Sequence, residues 1–136
     1  GGPGPKRRAG DRQVPEGFYE IDGLNPNSLF HLSLRVDYPN AEDRAAATVP
    51  LKELGGDIFV HGGAASIGCV AIGDDAIEEV FTLVARVPAG RRRVVLAPLD
   101  LRLNPPPPTD DARVATLYRR LATELASLAP RAPRPP

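Results

Sequence analysis

Apolar and polar residues alternate most strictly in "SLFHLSLRVDY" (28–38). Phe30, Leu32, Leu34, Val36 and Tyr38 fall on one face, and His31, Ser33, Arg35 and Asp37 on the other. This is the period of a half-buried strand, and it turns His31 away from the apolar face. "FYEIDGL" (18–24) predicts a shorter strand closed by the turn residues "NPNS". "DIFVH" (57–61) predicts another, with Ile58 and Val60 alternating against Phe59 and His61, and "AGRRRVVLAPLDLRL" (89–103) predicts a further one. The period changes in "DDAIEEVFTLVARV" (74–87), where Ile77, Val80, Phe81, Val84 and Val87 form a helical stripe. Asp74 or Asp75 is expected to cap that helix, and the acidic first turn suits its macrodipole. A second helix is expected behind Thr109 as cap, with Val114, Leu117, Tyr118, Leu121, Leu125 and Leu128 as its stripe.

Between these elements lie segments without period. "GGPGPKRRAGDRQVPEG" reads as loop, and residues 62–73 as a glycine-containing turn. Residues 39–56 form a long connection with a helical turn near Asp43 to Ala47, and connections of that length are often functional. "NPPPP" (104–108) is a stiff spacer, and the closing "PRAPRPP" is expected to be disordered. The expected organisation is a mainly β domain with flanking helices over 1–103, the spacer at 104–108, an amphipathic helix at 109–129 and a tail at 130–136.

Composition narrows the function. The 136 residues suffice for one domain with a real core, and 17 basic residues against 17 acidic ones give no net charge. A general nucleic-acid or membrane binder would carry a basic excess. The runs "KRR" (6–8) and "RRR" (91–93) lack interleaved aromatics and read as solvated faces or carboxylate contacts. No apolar run approaches a membrane span, and the N-terminus has no signal-peptide core. The chain has no methionine, which reads as a processed or excised fragment. Its single cysteine makes no internal disulfide and is either buried and inert or reactive.

That cysteine is Cys69, in "DIFVHGGAASIGC" (57–69), which also holds His61, one of two histidines. A lone cysteine is most often a small buried hydrophobe, and a histidine at a strand end a polar rim residue. The arrangement argues for more. Gly62, Gly63 and Gly68 let the chain fold back sharply, which would bring the Cys69 thiol toward the His61 imidazole, the pairing that activates a thiol. Amides around Ser66 to Cys69 would then converge on an oxyanion. A zinc site is the competing reading, but no CxxC or HxxxH pair completes a ligand set, so no metal is expected.

"HGGAASIGCVAIGDDAIEEVFTLV" resembles the core of the L,D-transpeptidase catalytic domain, the YkuD family. That family has His-Gly after a strand, then a Ser/Thr-x-Gly-Cys loop, then an amphipathic helix. "GPKRRAGDRQVPEGFYEIDGLNPNSLFHLSLRVDYPN" and "GGDIFVHG" extend the likeness toward the YafK-like subgroup, over about residues 3 to 97. The resemblance implies a β-sandwich or barrel catalytic domain of the periplasm or cell envelope, here lacking the family's first strands and signal sequence. It implies Cys69 as nucleophile, His61 as general base and acid, Gly62 as the backbone that orients the imidazole, and Ser66 and Gly68 in the oxyanion hole. Peptidoglycan stem peptides would be the substrate, with no cofactor. Arg44, with Asn40 and Asp43, is a candidate substrate contact.

Departures from the family pattern divide the expectation. Ile67 stands where the usual loop has histidine, Ala71 where transpeptidases commonly have arginine, and the His61–Cys69 spacing is short. Peptide crosslinking through a thioester is therefore expected alongside an alternative, amidase cleavage of the diaminopimelate–lysine link to a covalently attached lipoprotein. A non-catalytic wall-binding module is the reading of another class, and it would need neither thiol nor base. A structural envelope protein with an inert thiol has only the bulk composition in its favour.

Overall fold

The computed structural model describes residues 4–128, so the tail expected at 130–136 lies outside the described residues. The chain divides after Leu96 into two compact units. The first holds a mixed sheet shaped as a half-barrel with flanking helices. Its strands are β1 (Gly17–Ser28), β2 (His31–Val36), β3 (Phe59–His61), β4 (Val70–Ala71) and β5 (Arg93–Leu96), in the order β4-β3-β2-β1-β5. Helices α1 (Ala41–Ala45) and α2 (Asp74–Ala85) and a 3-10 turn at Leu51–Glu53 belong to the same unit. The second unit contains α3 (Ala112–Ser127).

The alternation in β2 does what the sequence asks of it. Leu34 and Val36 are buried and join Tyr19, Ile21, Tyr38, Ile58, Val60 and Ile77 in one core. α2 lies on this core through the fully buried Ile77, with Val80, Phe81 and Val84 around it. Burying such a side chain contributes about 1.5–3 kcal/mol, which fixes the helix against β2 and β3. Two residues depart from the pattern: Phe30 lies before the strand and is 52% exposed, and Ser33, expected on the polar face, is buried where it pairs with His61 of β3.

Several boundaries depart from the expected ones. "NPNS" does not turn the chain but continues β1. A register shift between Asn25 and Ser28 absorbs Pro26, whose missing N–H is tolerated at such a bulge, and Asn25 Oδ1 accepts from the Asn27 amide at 2.9 Å. The hairpin turns instead at Leu29 and Phe30, where Ser28 pairs with His31. Residues 62–73, expected as turn throughout, contain the two-residue β4, which pairs in parallel with β3. The strand expected over 89–103 is reduced to β5. Pro98 offers no N–H to continue it, and Asp100 folds the next residues into a turn by accepting from the Arg102 amide at 3.0 Å.

Both helix caps also differ. Gly73 (φ 81°) is the N-cap of α2 and Asp74 its first residue. α3 is capped by Asp111, which accepts from the Arg113 amide, while Thr109 Oγ1 accepts from the Asp111 amide one step earlier. Val114, Tyr118 and Leu121 of the expected stripe are buried, and Leu128 is exposed. Among the described residues no helix is long and apolar enough to cross a membrane.

Candidate active site

His61 closes β3 and is 3% exposed, held between Ser33 of β2 and Ala71 of β4. Its Nδ1 lies 2.5 Å from the carbonyl oxygen of Gly62. A carbonyl only accepts, so Nδ1 carries a proton, and in the neutral ring the lone pair is then on Nε2. The Phe30 ring packs over the imidazole at a centroid distance of 4.5 Å and an interplanar angle of 34°. This aromatic comes from the Leu29–Phe30 turn, and it shields the ring from water on that side.

Gly62 is required by its surroundings. A Cβ there would sit 2.5 Å from Asp74 Oδ1 and 2.6 Å from the Phe30 carbonyl oxygen, closer than any side chain tolerates. The Gly63 amide donates to Asp74 Oδ1 at 2.8 Å. The His61 carbonyl accepts from Ile72, and the Gly63 carbonyl accepts from Gly73. The backbone after His61 is thus bonded to the start of α2 on both sides.

Cys69 precedes β4 and is half-buried. Since Val60 pairs with Val70 and His61 with Ala71, Cys69 lies level with the start of β3, two residues behind His61. That offset is roughly 6–7 Å along the strands. Accordingly Cys69 Sγ and the imidazole are not hydrogen-bonded; the thiol instead faces the Asp57 carbonyl at 3.7 Å. The loop between them is closed by Ser66, whose hydroxyl donates to the Cys69 carbonyl at 2.9 Å and accepts from the Cys69 amide at 2.8 Å. In this arrangement the Cys69 amide is engaged by Ser66 rather than open to a substrate oxygen. Gly68 (φ 132°) approaches the backbone of Arg12 and Gln13, with a notional Cβ 3.5 Å from the Gln13 carbonyl oxygen.

The segment it approaches is itself ordered. Burial raises the Asp11 carboxyl, but the Lys6 ammonium at 2.8 Å and the amides of Arg7, Arg8 and Gln13 outweigh it and hold the group well below the usual carboxylate range. Lys6 of the basic run is therefore a carboxylate contact, with a side chain only 6% exposed.

Of the other predicted residues, Asn40 and Asp43 are engaged at α1. Asn40 Oδ1 accepts from the Glu42 and Asp43 amides, its Nδ2 donates to the Phe18 carbonyl, and Asp43 Oδ2 accepts from the Asn40 amide. The Tyr19 hydroxyl donates to Asp43 Oδ1 at 2.9 Å. Burial raises the Asp43 carboxyl against these bonds, and burial followed by the Asp43 charge raises the Tyr19 phenol. These contacts build the fold around α1. Arg44 is exposed on the same short helix. Ile67 is 88% exposed, at the tip of the cysteine loop.

Sequence reasoning missed Phe30 and Asp74. Phe30 lies outside the glycine-rich motif, and Asp74 or Asp75 was expected to cap α2, with no amide from the loop expected at Asp74. Only the crowding of Gly62 and Gly63 after a histidine hints at a carboxylate that needs backbone access. Among the described residues no three His, Cys, Asp or Glu side chains gather as a metal site.

Comparison with known proteins agrees with the fold. Residues 1–96 match the L,D-transpeptidase catalytic domain family, YkuD. Proteins named "Putative L,D-transpeptidase YafK" from Escherichia coli K12 and O157:H7 are each 40% identical over 86 residues, covering 62% of this chain and 33% of theirs. The chain thus spans about a third of the length of the curated relatives it matches. Among solved structures, the helical cell shape determining protein Pgp2 from Campylobacter jejuni superposes with a TM-score of 0.53 at 25% identity, covering 69% of this chain and 34% of that one. A mutant of Pgp2 superposes with a TM-score of 0.54 at 22% identity over 90% of this chain and 41% of that one, a likeness of fold. The chain belongs to the YkuD family of L,D-transpeptidase catalytic domains.

Proposed function

We propose that this domain is a cysteine enzyme of peptidoglycan in the cell envelope, with Cys69 as nucleophile and His61 as base and acid. The observation that carries the reading is the state of His61. With Nδ1–H bonded to the Gly62 carbonyl, the Nε2 lone pair is the acceptor for a thiol proton. The thiol is half-buried and held by one weak contact, so a rotation about its Cα–Cβ bond together with a small loop shift brings it toward the ring.

The sequence of steps follows from these atoms. His61 Nε2 takes the Cys69 proton, and the thiolate adds to a stem-peptide carbonyl, such as that of a diaminopimelate residue. The C–N bond then breaks, and the imidazolium gives its proton to the leaving amine, which leaves a thioester. An amine or a water, deprotonated by the same ring, attacks the thioester and returns the proton to sulfur. An amine product is a crosslink; a water product is a released peptide. The Ser66-closed loop and Gly68 are proposed to supply oxyanion donors once the loop shifts, and Arg44 to meet a substrate carboxylate. Pgp2, named for determining helical cell shape, is a neighbour whose role fits wall remodelling.

One observation favours the amidase alternative. Ile67 and Ala71, flanking the nucleophile, offer no charge to grip the terminal carboxylate of a second stem peptide. Release of a lysine-linked lipoprotein needs water rather than that second peptide. Sacculi carrying attached lipoprotein distinguish the two. New 3–3 crosslinked dimers without release mark the transpeptidase, and freed lipoprotein without dimers marks the amidase. The absence of both products, with a reactive Cys69, would contradict the substrate assignment, and binding without turnover would favour a wall-binding module.

A further inference from the structure

We propose that Asp74 is a positioning residue for His61, acting through the peptide group that joins Gly62 to Gly63. The inference rests on the reading of His61 as the base. A single peptide plane is bonded at both ends: its oxygen accepts the His61 Nδ1 proton at 2.5 Å, and its N–H donates to Asp74 Oδ1 at 2.8 Å. Amide resonance links the two ends. A carboxylate on the N–H side draws that proton and raises the negative charge on the oxygen, so successive hydrogen bonds strengthen one another. The oxygen then stabilises the imidazolium that forms when the thiol proton arrives.

The geometry leaves this peptide little freedom. Asp74 is the first residue of the twelve-residue α2, which the fully buried Ile77 anchors to the core. The face of Gly62 where a Cβ would stand is filled by Asp74 Oδ1 and the Phe30 carbonyl oxygen. The flanking bonds from Ile72 to the His61 carbonyl and from Gly73 to the Gly63 carbonyl hold the same stretch. Helix capping does not account for the carboxylate, since Gly73 is the N-cap and α2 has no side-chain cap bond. Asp74 is exposed at the surface, so one face of the carboxylate is in water while Oδ1 reaches the buried glycine.

The test needs no wall substrate. The chain has two histidines, His31 and His61, so ring-nitrogen NMR of the whole chain, assigned with His31→Gln, reads the His61 tautomer directly. In the wild type the Nδ1–H form should dominate, with a slowly exchanging proton. Asp74→Ala should speed that exchange and slow iodoacetamide alkylation of Cys69 by roughly 10- to 100-fold. Asp74→Asn keeps an acceptor oxygen of the same shape without the charge, and should fall between; it carries the test if the alanine variant is poorly folded. Wild-type exchange and alkylation in Asp74→Asn and in a folded Asp74→Ala would overturn the proposal. So would slower alkylation with an unmoved Nδ1 resonance, because the effect would not pass through the peptide. Undiminished alkylation in His61→Gln would instead sink the base assignment, which the NMR link between Asp74 and His61 does not require.

Discussion

His61 closes β3 and Cys69 immediately precedes β4, its parallel neighbour, yet the surroundings of imidazole and thiol differ in almost every respect. His61 is 3% exposed, bonded to the Gly62 carbonyl and covered by Phe30. Cys69 is half-buried on a loop closed by Ser66, and its sulfur makes one long contact to Asp57. The difference lies in what each is attached to. His61 is inside the sheet, and the backbone after it is bonded to the start of α2; Cys69 is in the loop that leads into a two-residue edge strand. On the proposed assignment of roles, the base is preorganised and the adjustment that would bring the pair together falls on the loop that carries Cys69. Such a division suits a covalent mechanism, since a base must keep its tautomer while a thiol must reach, carry and release an acyl group.

The comparison can be broken most severely at His61. His61→Gln should lower turnover by about 10²–10⁴-fold with the fold retained, measured as release or crosslinking on sacculi. A loss of only a few-fold would make the enclosed imidazole structural. Gly62→Ala comes next. Its Cβ would collide with Asp74 Oδ1 and the Phe30 carbonyl, so the variant should lose about 1–3 kcal/mol of stability in a denaturant titration, as overpacked sites do. An unchanged midpoint would mean that the backbone after His61 is loose.

Phe30→Ala sharpens the contrast by opening the imidazole to water. Phe30 is 52% exposed, so stability should fall by no more than about 0.5–1.5 kcal/mol, the scale of an aromatic pair. Phe30→Leu should recover part of any lost activity, and full activity in Phe30→Ala would show that the cover is incidental. The smallest effect belongs to His31→Ala. His31 Nε2 meets Glu78 at 2.6 Å on the exposed surface, where such a pair contributes about 0–1 kcal/mol. A large loss of turnover there would move the chemistry to the wrong histidine.

How much of this was legible follows the range of the forces involved. The β2 core positions and the α2 stripe could be read because periodicity reports burial directly, as Leu34, Val36 and Ile77 show. The likeness of "HGGAASIGC" to a known catalytic motif singles out His61 and Cys69 from the sequence alone. β4 was not legible, because two residues carry no period and exist as a strand only through pairing with β3. The hairpin turn was misplaced because Asn25-Pro26-Asn27 has turn chemistry that the sheet absorbs as a bulge. Asp74 had the composition of a helix cap, and tertiary packing drew its carboxylate to the Gly63 amide instead. Phe30 could not be tied to His61 while it was assigned to a strand's buried face.

The proposed chemistry requires Cys69 to form an acyl bond with a stem peptide. Intact-mass spectrometry after incubation with a soluble muropeptide tests it most directly, followed by peptide mapping of any adduct. The expected result is an added mass equal to the acyl fragment, located on Cys69, sensitive to hydroxylamine and absent from Cys69→Ala. Turnover of the muropeptide by Cys69→Ala at the wild-type rate, or an adduct mapped to another residue, would contradict it.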